Sequence, residues 1–461
     1  MSVAAELSAW AIALQDSDIS PDVTHAARRH LLDGVGNAIA GVRTGAVAPA
    51  VEVAESMGGP AEATRLGGRD RLGAPTAALA NGTLVHALDF DDTHAGGLVH
   101  ATAVVLPAAF AVGEQMGASG AQVLSAAIAG YETVCRIAAA SPHGFHARGL
   151  HATGIAGVFS SAVIASRLMG ADVDTTTNAL GIAGSSAGGL LEFLSTGAST
   201  KQLHAGFASM NGIIAARLAF AGATGPSSVF EGPSGIYATL SAREADVRSV
   251  TRDLGSTWET TRITIKPYPS CQLMHVTLDA VAAALENSAA PIDVSAIVEI
   301  VADVHPDSAH IVCEPADVKI SPRTSYDAKF SLPWSVAALL IDGSIGIDTY
   351  ADRSIARPEV SVLAGRVRTH VVATDGVAAD APGRVSITLA DGQSLSGEVS
   401  RSLGGPGMPL DDDALLAKFL LNAGGDAALA RELADRILDL GNEDSLTTIV
   451  ELAARVTDPI S

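Results

Sequence analysis

Six basic side chains stand in four short segments of an otherwise acidic, apolar chain of 461 residues. They are His100 in LDFDDTHAGGLVHAT, His151 in GLHATGIAGVF, Lys201 and His204 in STKQLHAGF, and Lys266 and His275 in KPYPSCQLMH. Cations set among apolar residues suit a small anion, because charges attract more strongly where water is thin. Lys201 and His204 are three apart, so on a helix they share a face, and Ser199 or Thr200 can cap it. With the first backbone N–H groups they would form an anion site; a solvated helix end is the plain alternative. His100 and His151 each follow a loop and open a helix, where the dipole favours an anion. Neither has an acidic neighbour one turn away to give it a purely structural role, although a buried structural donor is the alternative for each. Lys266 follows the strand-like run TRITI at an apparent domain border, a common place for ligands. His275 lies beyond Pro267 and Pro269, at the expected start of a helix.

The segment LDFDDTHAGGLVHAT adds Asp89, Asp91, Asp92 and His94 within six residues, with His86 just ahead. Carboxylates and imidazole are metal ligands, but the spacing is neither that of an EF-hand nor HExxH. The same residues could cap a helix and hold a loop, or one aspartate could orient a neighbouring imidazole and set its tautomer. No metal or organic cofactor is expected. Gly184 to Gly189, GSSAGG, matches neither a Walker loop nor GxGxxG, and reads as close helix packing or a substrate-facing turn.

The elements that must position these groups follow from composition and periodicity. The net charge is −21, from 29 Lys+Arg against 50 Asp+Glu. Such a field repels polyanions, so nucleic acid is not expected as a partner. Aromatics make up only 4% while Ala and Gly abound, which predicts closely approaching helices. Cys135, Cys271 and Cys313 are too few and scattered for a disulfide framework, and Cys271 reads as a packing residue. The uncharged stretch from Ala95 to Gly113 is interrupted by His100 and Pro107 and reads as a buried helix, not a membrane span. MSVAAELSAWAIALQDSD lacks a basic n-region and does not read as a signal peptide, so a cytoplasmic location is expected.

Residues 1 to about 260 show apolar positions at three- and four-residue spacing, as in DVTHAARRHLLDGVGNAIAG after the Ser20-Pro21 start signal. After Ile263 the texture changes: VSAIVEIVADVH and RVRTHVVAT carry β-branched runs, and RVSITLADGQSLSGEVS reads as a hairpin turning at Asp391-Gly392. DAKFSLPWSVAALLIDG reads as a helix between them. SLGGPGMPLDDD is a linker, after which ALLAKFLLNAG and AALARELADRILDLG return to helical periodicity.

Five segments, HALDFDDTH, LHATGIAGVF, STKQLHAGFAS, IKPYPSCQLMH and DAKFSLPWSVA, by their order and spacing make the chain similar to the MmgE/PrpD superfamily. That group includes 2-methylcitrate dehydratases, cis-aconitate decarboxylases and iminodisuccinate epimerases. The resemblance implies a mainly α protein: a large all-helical domain formed by residues 1–266 and 401–461, and a smaller inserted α+β lid domain of residues 267–400. It implies a homodimer that uses no cofactor. Matching motif by motif, it gives Asp89, Thr93, His100, His151, Lys201, Lys266 and His275 as site positions. In decarboxylase-like members a tyrosine lies where this chain has Trp334, and an indole can neither ionise nor accept a hydrogen bond as a phenol does. The cysteine in KPYPSCQLMH looks nearer to the epimerase-type branch than to the methylcitrate dehydratases.

The expected chemistry is removal of a proton or of CO₂ next to a carboxylate, which builds negative charge that fixed cations stabilise. His100, His151, Lys201, Asp89 and Lys266 are the expected catalytic set. Thr93, His204, His275, Lys266 and Trp334 are the expected substrate-binding set. In roles, Lys201 and Lys266 hold carboxylates, His151 and His100 move protons, and Asp89 orients a histidine. The leading function is a lyase on a small di- or tricarboxylate. The alternatives are an epimerase of an amino- or imino-dicarboxylate and a non-catalytic dicarboxylate binder. Lys201→Ala is expected to stop turnover and leave the fold intact.

Overall fold

The computed structural model describes residues 1–288 and 291–458. Among them 22 α-helices stand against eight short strands, so the protein is mainly α. The chain divides into two compact units. One comprises Met1–Leu191, Thr200–Ile265 and Asp411–Ser461; the other comprises Glu192–Ser199 and Lys266–Leu410.

In the first unit, small residues decide which helices touch. Helices α1 (Val3–Ala13) and α2 (Pro21–Thr44) lead to α3 (Ala74–His86), α4 (Thr102–Met116), α5 (Gly120–Ala139), α6 (Ala152–Leu168) and α7 (Lys201–Phe220). Most of α4 and α6 is buried on every side, as helices apolar all round should be. Gly82 of α3 lies so close to Gly206 of α7 that a Cβ on it would stand 2.9 Å from the Gly206 Cα. At Gly212 a Cβ would meet the Ser161 side chain of α6 at 2.5 Å. Glycine at these two points lets α7 pack directly against α3 and α6, and no larger residue fits without moving a helix.

That packing has a consequence for function. His86 is the last residue of α3, His151 the residue that precedes α6, and Lys201 the first residue of α7. Three helix ends therefore carry basic side chains to one place. The loop after α3 is held by a two-residue ribbon, β1 (Thr93–His94) against β2 (Ile263–Thr264), with Thr93 opposite Thr264.

The second unit carries α8 (His275–Glu286) and α9 (Leu332–Asp342) with a four-stranded sheet. Its strands are β3 (Ile297–Val304), β4 (Val367–Val371), β5 (Gly383–Leu389) and β6 (Ser394–Val399), in the order β4-β3-β5-β6. The β3–β4 pair is parallel and the other two are antiparallel. The expected hairpin turns at Asp391-Gly392, with Gly392 at φ 86°, a conformation glycine adopts without strain. The chain then returns to the first unit with α10 (Asp412–Ala423), capped by the Asp411 carboxylate on the Ala414 N–H. No helix among the described residues is long and apolar enough to cross a membrane.

Candidate active site

Asp89 opens the site with an unusual backbone: its φ is 53°, in the left-handed region that aspartate and asparagine tolerate better than other side chains. This bend lets three carboxylates within four residues take three different partners. Asp89 Oδ1 accepts from Lys201 Nζ at 2.9 Å. Asp91 Oδ2 lies 2.7 Å from His86 Nδ1. Asp92 accepts from the Thr102 N–H at 2.9 Å and from its hydroxyl at 2.5 Å, fixing the start of α4, and stands 3.2 Å from His30 Nδ1. All three are completely buried. The acidic cluster thus does three jobs: it pairs a cation, orients an imidazole and caps a helix.

Lys201 Nζ also lies 3.2 Å from His100 Nε2. His100 Nδ1 is 3.0 Å from the Asp92 carbonyl and 3.3 Å from Thr93 Oγ1. A carbonyl only accepts, so His100 carries its proton on Nδ1 and offers the Nε2 lone pair to the lysine. Within the first unit Asp89, Thr93, His100 and Lys201 are therefore one hydrogen-bonded group. His151 joins it through ring contacts, 5.6 Å from His86 and 5.8 Å from His100 between centroids. Burial first, then the charge of Lys201 and the neighbouring imidazoles, hold the His151 pKa well below its ordinary value. His151 is neutral near pH 7. Its Nδ1 lies 3.1 Å from His204 Nδ1, and burial lowers His204 to about 4.

His86, Asp89, Asp91 and His100 present ligand-type atoms within 4.8 Å of one another, and so do His86, His100 and His151. The donor types would suit a metal ion. The Lys201 ammonium, bonded to two of these four residues, supplies a positive charge at the same place.

Lys266, His275 and Trp334 belong to the second unit. Lys266 is fully buried. His275 begins α8 as expected, and its Nε2 lies 3.1 Å from the Ser270 carbonyl, so it holds the loop that follows Lys266. That loop is fastened again by Lys329, whose Nζ donates to the Pro269 carbonyl at 2.8 Å. Trp334 is fully buried, 5.8 Å from the Tyr350 ring, and its Nε1 has no hydrogen-bond partner among the described residues. Cys271 is buried. One local expectation needs correction: Thr200 takes the position before α7 but makes no side-chain capping bond, because its backbone is already helical.

Two side chains near the centre were not among the expected catalytic or substrate-binding residues. His86 is completely buried, its Nδ1 on Asp91 and its Nε2 without a partner among the described residues. Its adjacency to the acidic motif was the available signal. His146 stacks edge-on to His151 at 6.1 Å, and burial, with His143 and Lys201 adding to it, pushes its pKa down to about 3. Its signal was the HxxH spacing of His143 and His146, which only the fold connects to His151.

Buried cations and neutral imidazoles on an Ala/Gly-rich helical body, followed by an α+β segment, define a class, and comparison with known proteins gives it a name. The MmgE/PrpD N-terminal domain matches residues 5–247 and the MmgE/PrpD C-terminal domain matches residues 268–443. The chain belongs to the MmgE/PrpD family. It is 30% identical to a cis-aconitate decarboxylase of Aspergillus terreus (strain NIH 2624 / FGSC A1156), over 98% of this chain and 95% of that protein. It is 27% identical to the cis-aconitate decarboxylases of Mus musculus, over 95% and 88%, and of Homo sapiens, over 89% and 85%.

Proposed function

We propose that this chain is a lyase that decarboxylates a small tricarboxylate of the cis-aconitate type. The observation that carries the reading is a neutral, buried His151 beside the fixed ammonium of Lys201. Decarboxylation breaks a C–CO₂⁻ bond and leaves its electron pair on carbon, delocalised towards a neighbouring unsaturated or carboxylate group. A cation that is already in place stabilises this charge without reorganising, an effect of about 3–4 kcal/mol per well-placed donor. A proton must then reach carbon, and a neutral imidazole can deliver its ring N–H when a neighbouring group returns a proton to its other nitrogen in the same step. Lys201 binds and stabilises, Asp89 and His100 hold Lys201 in place, and His151 is the proton donor. The names of the relatives support the choice among lyases.

The epimerase alternative, towards which the cysteine of KPYPSCQLMH leaned, finds no support among these relatives. The same reading gives Lys266 a substrate-binding role, treats residues 267–400 as an inserted lid domain, and takes the active form to be a homodimer. The test is proton NMR of the protein with cis-aconitate and with methylcitrate in D₂O. A decarboxylated alkene carrying one deuterium at the newly protonated carbon is expected from cis-aconitate. Deuterium exchange without net product would restore the epimerase, and no change in either compound would leave a binding protein.

A further inference from the structure

His204 stands in the first turn of α7, and its position is set by a motif whose purpose is not evident in the sequence. The GSSAGG run ends at Gly189, whose φ is 127°, a conformation closed to ordinary side chains. A Cβ at Gly189 would stand 3.1 Å from His204 Nδ1 and 3.3 Å from its Cγ, so the imidazole lies directly on the glycine. The same residue's carbonyl accepts from the His151 N–H at 2.8 Å, and Leu150 bridges Leu190 beside it. Gly189 therefore fixes the backbone of His151 and the ring of His204 at once. On α6, Gly154 completes the seat: its ideal Cβ would lie 3.6 Å from the His204 Cβ.

Between the two rings, Nδ1 faces Nδ1 at 3.1 Å. Two neutral imidazoles can share that contact in one way only: one nitrogen carries the proton and the other offers its lone pair. The tautomers of the two residues are thus coupled. If His204 donates, His151 carries its own proton on Nε2 and is an acid there; if His151 donates, its Nε2 is bare and can only be a base. His204 is the less buried of the two.

We infer that His204 is a positioning residue that donates its Nδ1 proton to His151 and so holds the catalytic imidazole as an Nε2–H acid. The inference rests on the decarboxylase reading above. In the protonation step the His151 Nε2–H bond breaks and a C–H bond forms on the substrate carbanion. The His204 Nδ1 proton moves to His151 Nδ1 and His204 Nε2 takes one proton from water, so no imidazolate is left; the hydroxide released combines with the departing CO₂ as bicarbonate. Exchange with solvent between turnovers restores the starting tautomers.

Two measurements test this. Side-chain ¹⁵N NMR of the free protein at pH 7 should show His151 protonated at Nε2 and His204 at Nδ1, and His204→Phe should abolish that preference in His151. A His151 protonated at Nδ1 in both proteins overturns the inference without reference to any substrate. In turnover of cis-aconitate, His204→Phe should lower kcat on the order of 10²-fold with KM little changed. Gly189→Ala should copy that loss by displacing the ring, and His204→Asn, whose amide nitrogen can stand near the lost Nδ1, should recover part of it. A raised KM with unchanged kcat would make His204 a substrate ligand instead. Wild-type protein inactive on cis-aconitate would sink the decarboxylase reading, while the NMR result still decides the tautomer pair. Melting temperatures of the variants separate misfolding from either outcome.

Discussion

Lys201 and Asp89 meet at 2.9 Å where little water reaches them, so they depend on each other. Removing one partner of a buried ion pair strands the other, typically at about 3–5 kcal/mol. The expectation that Lys201→Ala leaves the fold intact therefore changes once the structure is known. We predict that Lys201→Ala abolishes turnover and also lowers unfolding free energy by about 3 kcal/mol or more. Lys201→Met combined with Asp89→Asn should regain much of that stability and none of the activity. Urea unfolding of the three proteins decides the matter, and an unshifted midpoint for the single variant would show that the pair contributes nothing to folding. The imidazoles give a second prediction. His146 at about 3 and His204 at about 4 lie below the ordinary histidine value of about 6.5, and His151 is lowered in the same direction. Unfolded histidines bind protons that the folded ones refuse, so stability should fall as pH drops from about 6.5 towards 4. Asp33, raised by burial to about 6, works the other way over the same window, but three imidazoles outweigh one carboxylate. Calorimetric melting temperatures at pH 7, 6, 5 and 4.5 should therefore decline, and a flat profile would contradict the neutral cluster.

Helix α10 shows how an element far along the chain reaches the centre. Its Lys418 is buried and lies 2.6 Å from Asp33 Oδ1 of α2. Lys418 also donates to the Phe90 carbonyl at 2.9 Å and covers the Phe90 ring at 3.8 Å. Phe90 sits between Asp89 and Asp91, so this lysine fastens the loop on which both depend. Lys418→Ala should cost several kcal/mol and reduce activity together with stability, whereas Lys418→Met with Asp33→Asn should restore folding more than turnover. If both variants melt like the wild type, α10 has no such role. The sequence showed part of this arrangement and not the rest. Three-residue spacing placed Lys201 and His204 on one helical face, and the β-branched runs and the Asp391-Gly392 turn marked the sheet of the second unit. Lys418, in contrast, reads as an ordinary surface lysine in ALLAKFLLNAG, because local pattern carries no information about a carboxylate on α2. The His151–His204 contact joins segments 53 residues apart and depends on how closely Gly206 and Gly212 let α7 approach its neighbours. Only tertiary packing specifies it.

At the level of the whole molecule, a protein of charge −21 would meet the proposed tricarboxylate with charge of the same sign. Long-range repulsion should slow encounter, and salt should relieve it, since the screening length shrinks from about 30 Å at 0.01 M to about 8 Å at 0.15 M ionic strength. We predict that kcat/KM for a tricarboxylate rises over that range and that a monoanionic analogue responds less. Steady-state rates at graded concentrations of a weakly binding salt provide the check, and a steady decline would mean that local positive charge dominates the approach. The first unit is also discontinuous along the chain, its last part beginning at Asp411. During synthesis Asp33 leaves the ribosome 385 residues (418 − 33) before Lys418 does. At roughly 5–20 residues per second this is a wait of about 20–80 s. Through that interval the face of α2 that α10 packs against stays uncovered, so the first unit cannot close until its last part has been made.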